Sequence, residues 1–322
     1  MKPPLAKQLF EARFWHIAQG YPGVQVLGAE LGRLAQLEGR PFDLEERLSQ
    51  YASSNDAPTQ RHFKDIPPYL RDLLIRVTIE YVPSPTNYLN LVRRLLHGGS
   101  HEICFVSLNY DTLLEKALQA YDGDLKIRNL DDYVAEDRRA SVVKIHGSTN
   151  WAVEVPRTAA EDGGLNREDV LQRWDPSDYD SDAITLDHRN DPSPAWRDVE
   201  SGAYLYPALT APLRDKSFTC PRVHTEKLRE FLQSCRAFLV IGSSGLDDDL
   251  LGFLSKNVPT GETVVQYVNN GIEATLAVRE RFEENIRQFR GGKGRSAQPQ
   301  LAHEGFTAYL DGGDLEGLIA AK

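Results

Sequence analysis

The sequence predicts an α/β fold, a doubly wound parallel sheet with a helical region in front of it, and three observations carry that reading. Residues 5–100 show helical periodicity almost throughout. From residue 102 onward, short continuous apolar runs alternate with helix-like segments, the pattern of parallel strands covered on both faces. Each of those runs ends abruptly in polar residues, which marks one edge of the sheet as different from the other.

In the first hundred residues Leu5, Leu9, Phe10, Phe14 and Ile17 recur at spacings of three and four, and so do Leu27, Leu31 and Leu34. Each set therefore lies on one helix face. Asp43 with Glu46 forms a capping-box pattern ahead of Leu44, Leu48 and Tyr51, while Pro67 and Pro85 suit the first turns of two further helices. Gly98 and Gly99 end the last one.

The strands follow. Glu102–Leu108 (EICFVSL) precedes a helix over Thr112–Tyr121, and Ser141–His146 (SVVKIH) is the second strand. Arg236–Ser244 (RAFLVIGSS) is the third, with a helix from Leu246, and Glu262–Asn269 (ETVVQYVN) is the fourth, with a long helix near Ile272–Phe289. These strands make the core Rossmann-like. Between Trp151 and Gly202 the chain is rich in Asp, Pro, Gly and Ser and reads as an insertion or lid over the sheet edge, because strand-like patterns resume after it. The expected organisation is a single domain over 1–322, with a helical region at 1–100, the core at 101–150 and 203–289, the insertion at 151–202 and a C-terminal extension at 290–322. Arg290–Gln300 (RGGKGRSAQPQ) reads as a loop.

Composition narrows the function classes. With 322 residues, 41% of them hydrophobic, the chain can bury a substantial core. A net charge of -10 argues against a surface made to neutralise phosphate backbones, so nucleic acid is not an expected direct partner. Cys104, Cys220 and Cys235 never form Cys-x-x-Cys, so neither a zinc ribbon nor a disulfide framework can be read, and no metal is expected. The apolar runs are too short to span a bilayer, and the N-terminus lacks the apolar core of a signal peptide. A cytoplasmic protein without membrane association is expected.

In an open parallel sheet, ligands bind beyond the carboxyl ends of the strands. Those ends read Asn109-Tyr110-Asp111, His146-Gly147-Ser148, Gly242-Ser243-Ser244-Gly245 and Asn269-Asn270. Each has a bland alternative. Asn109 and Asp111 suit the cap and first turn of the next helix, His146 a hydrogen-bonded core position, Gly242 and Gly245 a tight turn, and Trp151 packing. Together, an amide, a carboxylate, an imidazole and a glycine-serine turn on one rim suit a polyhydroxylated ligand and a general base. Asp247, Asp248 and Asp249 open the helix after that turn and compete with phosphate for its N-terminus, so the turn suits ribose hydroxyls better than pyrophosphate. A nucleoside-containing ligand follows.

Asn-Tyr-Asp after a strand, Lys-x-His-Gly-Ser-x-Asn-Trp (Lys144–Trp151) and Val-Ile-Gly-Ser-Ser-Gly-Leu-Asp-Asp-Asp (Val240–Asp249) occur in that order. This order resembles the sirtuin-like NAD-binding family, and in particular its zinc-free bacterial branch, which includes antiphage defence proteins that hydrolyse NAD. The resemblance spans roughly Glu102–Asn270. It implies NAD as the substrate, cleaved to nicotinamide and ADP-ribose with water as acceptor. Asn109 would contact the nicotinamide ribose and position the water, Asp111 would hold the nicotinamide end, and His146 would be the general base. Gly242 and Ser243, with Ser244 in the same turn, would line the adenosine side, and Asn269 would meet the adenosine ribose. A homo-oligomer is implied, with subunit contacts from the helical region, and a defence-system partner protein is possible. A noncatalytic NAD or ADP-ribose sensor and an NAD-dependent protein deacylase are the alternatives.

Two features depart from the family. The deacylases' zinc ribbon is replaced by the cysteine-free stretch Trp151–Gly202. The family's opening strand and Gly-Ala-Gly-x-Ser turn, which cradle the pyrophosphate, have no counterpart before Pro3, and PPLAKQLF resembles the segment that follows such a turn. The expectation is a chain that starts late or truly lacks that element.

Overall fold

The structure, a computed structural model, describes residues 9–38, 43–81, 86–97, 101–155, 175, 179–188, 204–213, 217–260, 263–289, 300–312 and 314–320. The helical region contains α1 (Trp15–Ala18), α2 (Pro22–Glu38), α3 (Leu44–Ala52), α4 (Ala57–Phe63), α5 (Ile66–Tyr81) and α6 (Thr86–Leu96). The apolar spacings give one core, in which Leu9, Phe14, Ile17, Leu27, Leu31, Leu48, Ile66 and Leu73 are buried together. Asp43 caps α3 as the sequence indicates, its carboxylate accepting from the Glu46 amide at 3.2 Å. Pro67 sits in the first turn of α5, where its missing N–H costs nothing. Leu5, Pro85, Gly98 and Gly99 lie outside the described residues.

Two parallel sheets follow. β1 (Ile103–Ser107) pairs with β2 (Ala140–Lys144), in register from Ile103 opposite Ala140 to Ser107 opposite Lys144. The helix α7 (Leu113–Tyr121) connects them. β6 (Ala237–Ile241) pairs with β7 (Val264–Val268), which pairs with β8 (Gln300–Ala302). Their helices are α8 (Arg222–Ser234) before β6, α9 (Asp248–Asn257) after it and α10 (Ile272–Asn285) after β7. α8 packs on both β2 and α9, and α6 packs on both α7 and the short helix α11 (Phe306–Asp311), so the same layers cover both sheets. The described fold is thus the mixed α/β architecture with parallel sheets that the alternating pattern predicts.

Among the described residues, the two parallel sheets do not join: β1 and β6 are not hydrogen-bonded to each other. All five residues of each are half-exposed, although ICFVS and AFLVI are as apolar as the strands beside them. β2 and β7, one position further out, are buried beyond their first residue. The most apolar inner edges are therefore the more open ones, the reverse of an ordinary doubly wound sheet.

An antiparallel sheet that the sequence reading lacked runs in the order β4-β3-β5, with β3 at Gly147–Glu154, β4 at Thr185–Leu186 and β5 at Leu205–Leu209. β3 starts in the expected core and runs into the stretch read as the acidic insertion, which also holds β4. Trp151 is completely buried there, its ring 5.5 Å from Tyr133 and 5.2 Å from His224, both edge-on. Asp187, just after β4, is anchored to α5 by the Arg71 guanidinium at 3.0 Å. Residues 156–174, 176–178 and 189–202 of the expected lid, and most of the 290–300 loop, lie outside the described residues. Within the expected C-terminal extension, β8, α11 and α12 (Asp314–Ala320) are ordered elements, and Tyr309, Leu310 and Leu315 pack in a small core with Leu91 and Val268.

Candidate functional site

β1 delivers Asn109, Tyr110 and Asp111 to the carboxyl end of its sheet, and buried polar groups behind them fix that loop. Lys144, the last residue of β2, is 1% exposed. Its ammonium lies 3.0 Å from the Glu115 carboxylate and donates to the backbone carbonyl of Asp111, with the Tyr110 carbonyl at 3.4 Å. The Tyr110 carbonyl also accepts from the Thr149 amide at 2.9 Å and the Ser148 hydroxyl at 3.2 Å. Ser148 in turn donates to Asn150, whose amide donates to Tyr133 at 3.0 Å. A buried charge pair of this kind offsets its desolvation through further hydrogen bonds; Glu115 Oε2 has none among the described residues, so the bonds made by the ammonium carry that role. The backbone of the loop is one of its partners.

His146 follows at the turn out of β2. Gly147, with φ +84°, reverses the chain into β3; a Cβ on it would lie 2.1 Å from the Ala208 carbonyl oxygen. The carbonyls of Ile145 and His146 accept from Thr219 and Thr210 at 2.7 and 3.0 Å, so the backbone on the other side is held as well. The imidazole is 2% exposed, and its Nε2 lies 2.5 Å from Asp247 Oδ2. Its Nδ1 has no hydrogen-bond partner among the described residues.

Asp247 belongs to the glycine-serine turn after β6. It is the N-cap of α9, with Oδ1 accepting from the Leu250 amide at 2.9 Å. Gly242 and Gly245 both have left-handed backbones, φ +62° and +66°. A Cβ on Gly245 would meet the Phe282 ring at 3.4 Å, whereas one on Gly242 would meet nothing within 4 Å, so Gly242 faces open space. Asn269, after β7, donates its amide to the Ser243 carbonyl at 2.9 Å and ties the two strand ends together. The Ser243 hydroxyl accepts from the Gly245 amide at 3.0 Å, while Ser244 is exposed.

The electrostatics link the halves. The Tyr110 phenol is pushed well above its ordinary value, first by burial and then by the negative charges of Glu45 and Asp247. Tyr110 therefore shares the electrostatic environment of the carboxylate that holds His146. The Tyr88 phenol is pushed up to about 12 by burial and by Asp111, while the Asn109 amide that donates to it at 3.2 Å lowers it. Asp111 accepts from the Leu113 amide at 3.0 Å, the capping role that its position at a helix start allows. Burial pushes the Cys104 and Cys220 thiols up to about 12, and all three cysteines are free thiols.

Of the residues singled out from the sequence, His146 lies in direct contact with the turn that holds Gly242, Ser243 and Ser244, and Asn269 joins the same turn. Asn109 and Asp111 stand on the neighbouring strand end and engage Tyr88 and Leu113. Sequence reasoning missed the pairing of Asp247 with His146, and Lys144 and Glu115 as supports of the loop. The lysine two residues before the histidine, on an apolar strand, was the available signal, because a charge there needs a buried partner. Among the described residues, no group of three or more His, Cys, Asp or Glu side chains is arranged to hold a metal ion. No described helix is long and apolar enough to cross a membrane. A groove of 580 Å³ lined by Arg128, Asp131, Asp182 and Arg222 mixes both charge signs and shares no residue with the rim.

Two of the four strand-end motifs fall within a segment that matches a known family. Residues 103–193 match the SIR2-like domain. The match covers β1, α7, β2, β3 and β4, and with them Asn109, Asp111 and His146; it is less than a third of the chain. The similarity supports a sirtuin-like domain in this part of the chain and an NAD-related activity in general. The Gly242 turn and Asn269 lie outside the SIR2-like segment and are joined to it through His146 and Asp247. No curated protein matches the chain.

Proposed function

We propose that the protein is an NAD glycohydrolase that cleaves NAD to nicotinamide and ADP-ribose. The observation that carries this reading is the His146 imidazole at the carboxyl edge of the parallel strands, with one nitrogen held by Asp247 and the other free to take a proton. The bond that breaks joins the nicotinamide nitrogen to ribose C1′. The electron pair leaves with neutral nicotinamide, an oxocarbenium-like centre develops at C1′, and water adds there while its proton passes to His146. Asn109 contacts the nicotinamide ribose and orients the water, and Asp111 holds the nicotinamide end. Gly242, Ser243 and Ser244 line the adenosine side, and Asn269 meets the adenosine ribose. Gly242 is suited to close approach because no side chain occupies the space it faces.

The cellular role in this proposal is an antiphage defence effector, an oligomer in the bacterial cytoplasm kept silent until triggered, with a defence-system partner protein. Exposed Trp15, Val26 and Ile79 on α1, α2 and α5 support subunit contacts through the helical region.

A second reading, a noncatalytic NAD or ADP-ribose sensor, is favoured by the engagement of Asn109 with Tyr88 and of Asp111 with Leu113, which uses both polar groups within the protein. Incubation with NAD and measurement of nicotinamide and ADP-ribose separates the two. Release that falls about 10²-fold or more in His146→Ala, and falls in Asn109→Ala, supports the hydrolase. Binding without turnover supports the sensor, and nicotinamide release only with an acetyl-lysine peptide points to a deacylase.

A further inference from the structure

We infer that Asp247 is a positioning residue for His146, fixing the imidazole with its proton on Nε2 so that Nδ1 is the nitrogen that accepts a proton. A neutral imidazole has one donor and one acceptor nitrogen, and the hydrogen bond made by one determines the role of the other. A carboxylate oxygen only accepts, so the 2.5 Å approach of Asp247 Oδ2 puts the proton on Nε2. Asp247 does not swing freely, because Oδ1 is tied to the Leu250 amide at the start of α9. The lone pair left on Nδ1 has no partner among the described residues, although the ring is 2% exposed. A buried acceptor without a partner is costly, which is tolerated where a substrate group supplies the missing bond.

The backbone that carries the ring is fixed too. The His146 carbonyl accepts from the Thr210 amide, and Gly147 next to it is locked against Ala208. The Tyr110 phenol from the end of β1 is electrostatically coupled to Asp247, and Glu45 from α3 is coupled to that same phenol. The chemical consequence rests on the NAD-hydrolase reading: as water oxygen bonds to ribose C1′, its proton moves to Nδ1, and the imidazolium so formed is paired with the Asp247 carboxylate. The geometry of the pair does not rest on that reading.

Asp247→Asn separates positioning from folding, since asparagine caps a helix as well as aspartate but carries no charge. Nicotinamide release from NAD is expected to lose about 10²-fold in kcat with KM little changed. Wild-type kcat in Asp247→Asn, with NAD hydrolysis intact in the parent, would overturn the positioning role while leaving the hydrolase reading in place. A second arm works whether or not NAD is turned over. ¹⁵N spectra of histidine-labelled protein are expected to show His146 with a protected Nε2–H and a bare Nδ1, and to lose that protection in Asp247→Ala. A proton on Nδ1 in the parent protein, or spectra unchanged in Asp247→Ala, would overturn the assignment. No nicotinamide release by the parent would remove the hydrolase reading, and the spectra would still decide the pair.

Discussion

At the β1–β2 end of the rim, the Asn109–Asp111 loop hangs on buried charge: Lys144 reaches its carbonyls and is itself neutralised by Glu115. At the β6–β7 end, the Gly242–Gly245 turn has no buried charge pair behind it: the Asn269 amide holds the Ser243 carbonyl, the Arg281 guanidinium holds the Ser244 carbonyl at the exposed surface, and two glycines are left-handed. The first arrangement is stiff and expensive to disturb, because removing one charge strands the other in a dry interior. The second is cheaper and leaves open space in front of Gly242. A site that must fix a water and a bond to within fractions of an ångström needs the stiff kind, and one that receives a ribose can use the other. The Asp247–His146 bond is where the two meet.

Breaking the charged end should have the largest effect on folding. Lys144→Met is expected to cost about 3–5 kcal/mol in urea unfolding, the usual penalty for removing one partner of a buried pair. Lys144→Met with Glu115→Leu should recover part of it, because no charge is then left stranded. A double variant no more stable than the single one would mean that Lys144 acts through the loop carbonyls alone. At the glycine end, Gly242→Ala places a side chain on a left-handed backbone, a cost of about 1–2 kcal/mol. With nothing near its Cβ, the fold should persist and binding should suffer, KM for NAD rising while kcat is retained. A fall in kcat alone would place Gly242 on the chemical side of the comparison.

The smallest effect concerns His224, buried beside Trp151 at the base of the charged end. Burial lowers its pKa, the carbonyl of Leu130 opposing that shift. The unfolded chain therefore binds a proton more readily than the folded one, and stability should be complete above the unfolded value of about 6.5 and decline as pH falls through it. Thermal melts from pH 7.5 to 5 should show the decline, and His224→Gln should flatten it.

How much of this was legible in the sequence depends on distance along the chain. The runs ICFVS, SVVK, AFLVI and VVQYV declare strands by composition alone, although ICFVS and AFLVI are half-exposed, and Asp43 declares its helix start within three residues. Trp151 was assigned to the acidic insertion because its downstream neighbours are polar. What makes it core is the pairing of β3 with β5, more than fifty residues later, and the close approach of Gly147 to Ala208. β8 spans three residues and α11 six, too short for periodicity to register. The site divides the same way. Asn109, Asp111, His146, the glycine-serine turn and Asn269 were visible as strand endings, whereas Asp247 caps a local helix and shows its second role only across the 101 residues that separate it from His146.

The central claim is that this rim cleaves the nicotinamide–ribose bond, and the most direct test is a time course of nicotinamide and ADP-ribose from NAD with the parent protein and His146→Ala side by side. The account predicts equimolar release by the parent and a loss of about 10²-fold or more in the variant. NAD bound by the parent without any nicotinamide appearing, or equal release by both proteins, would contradict it.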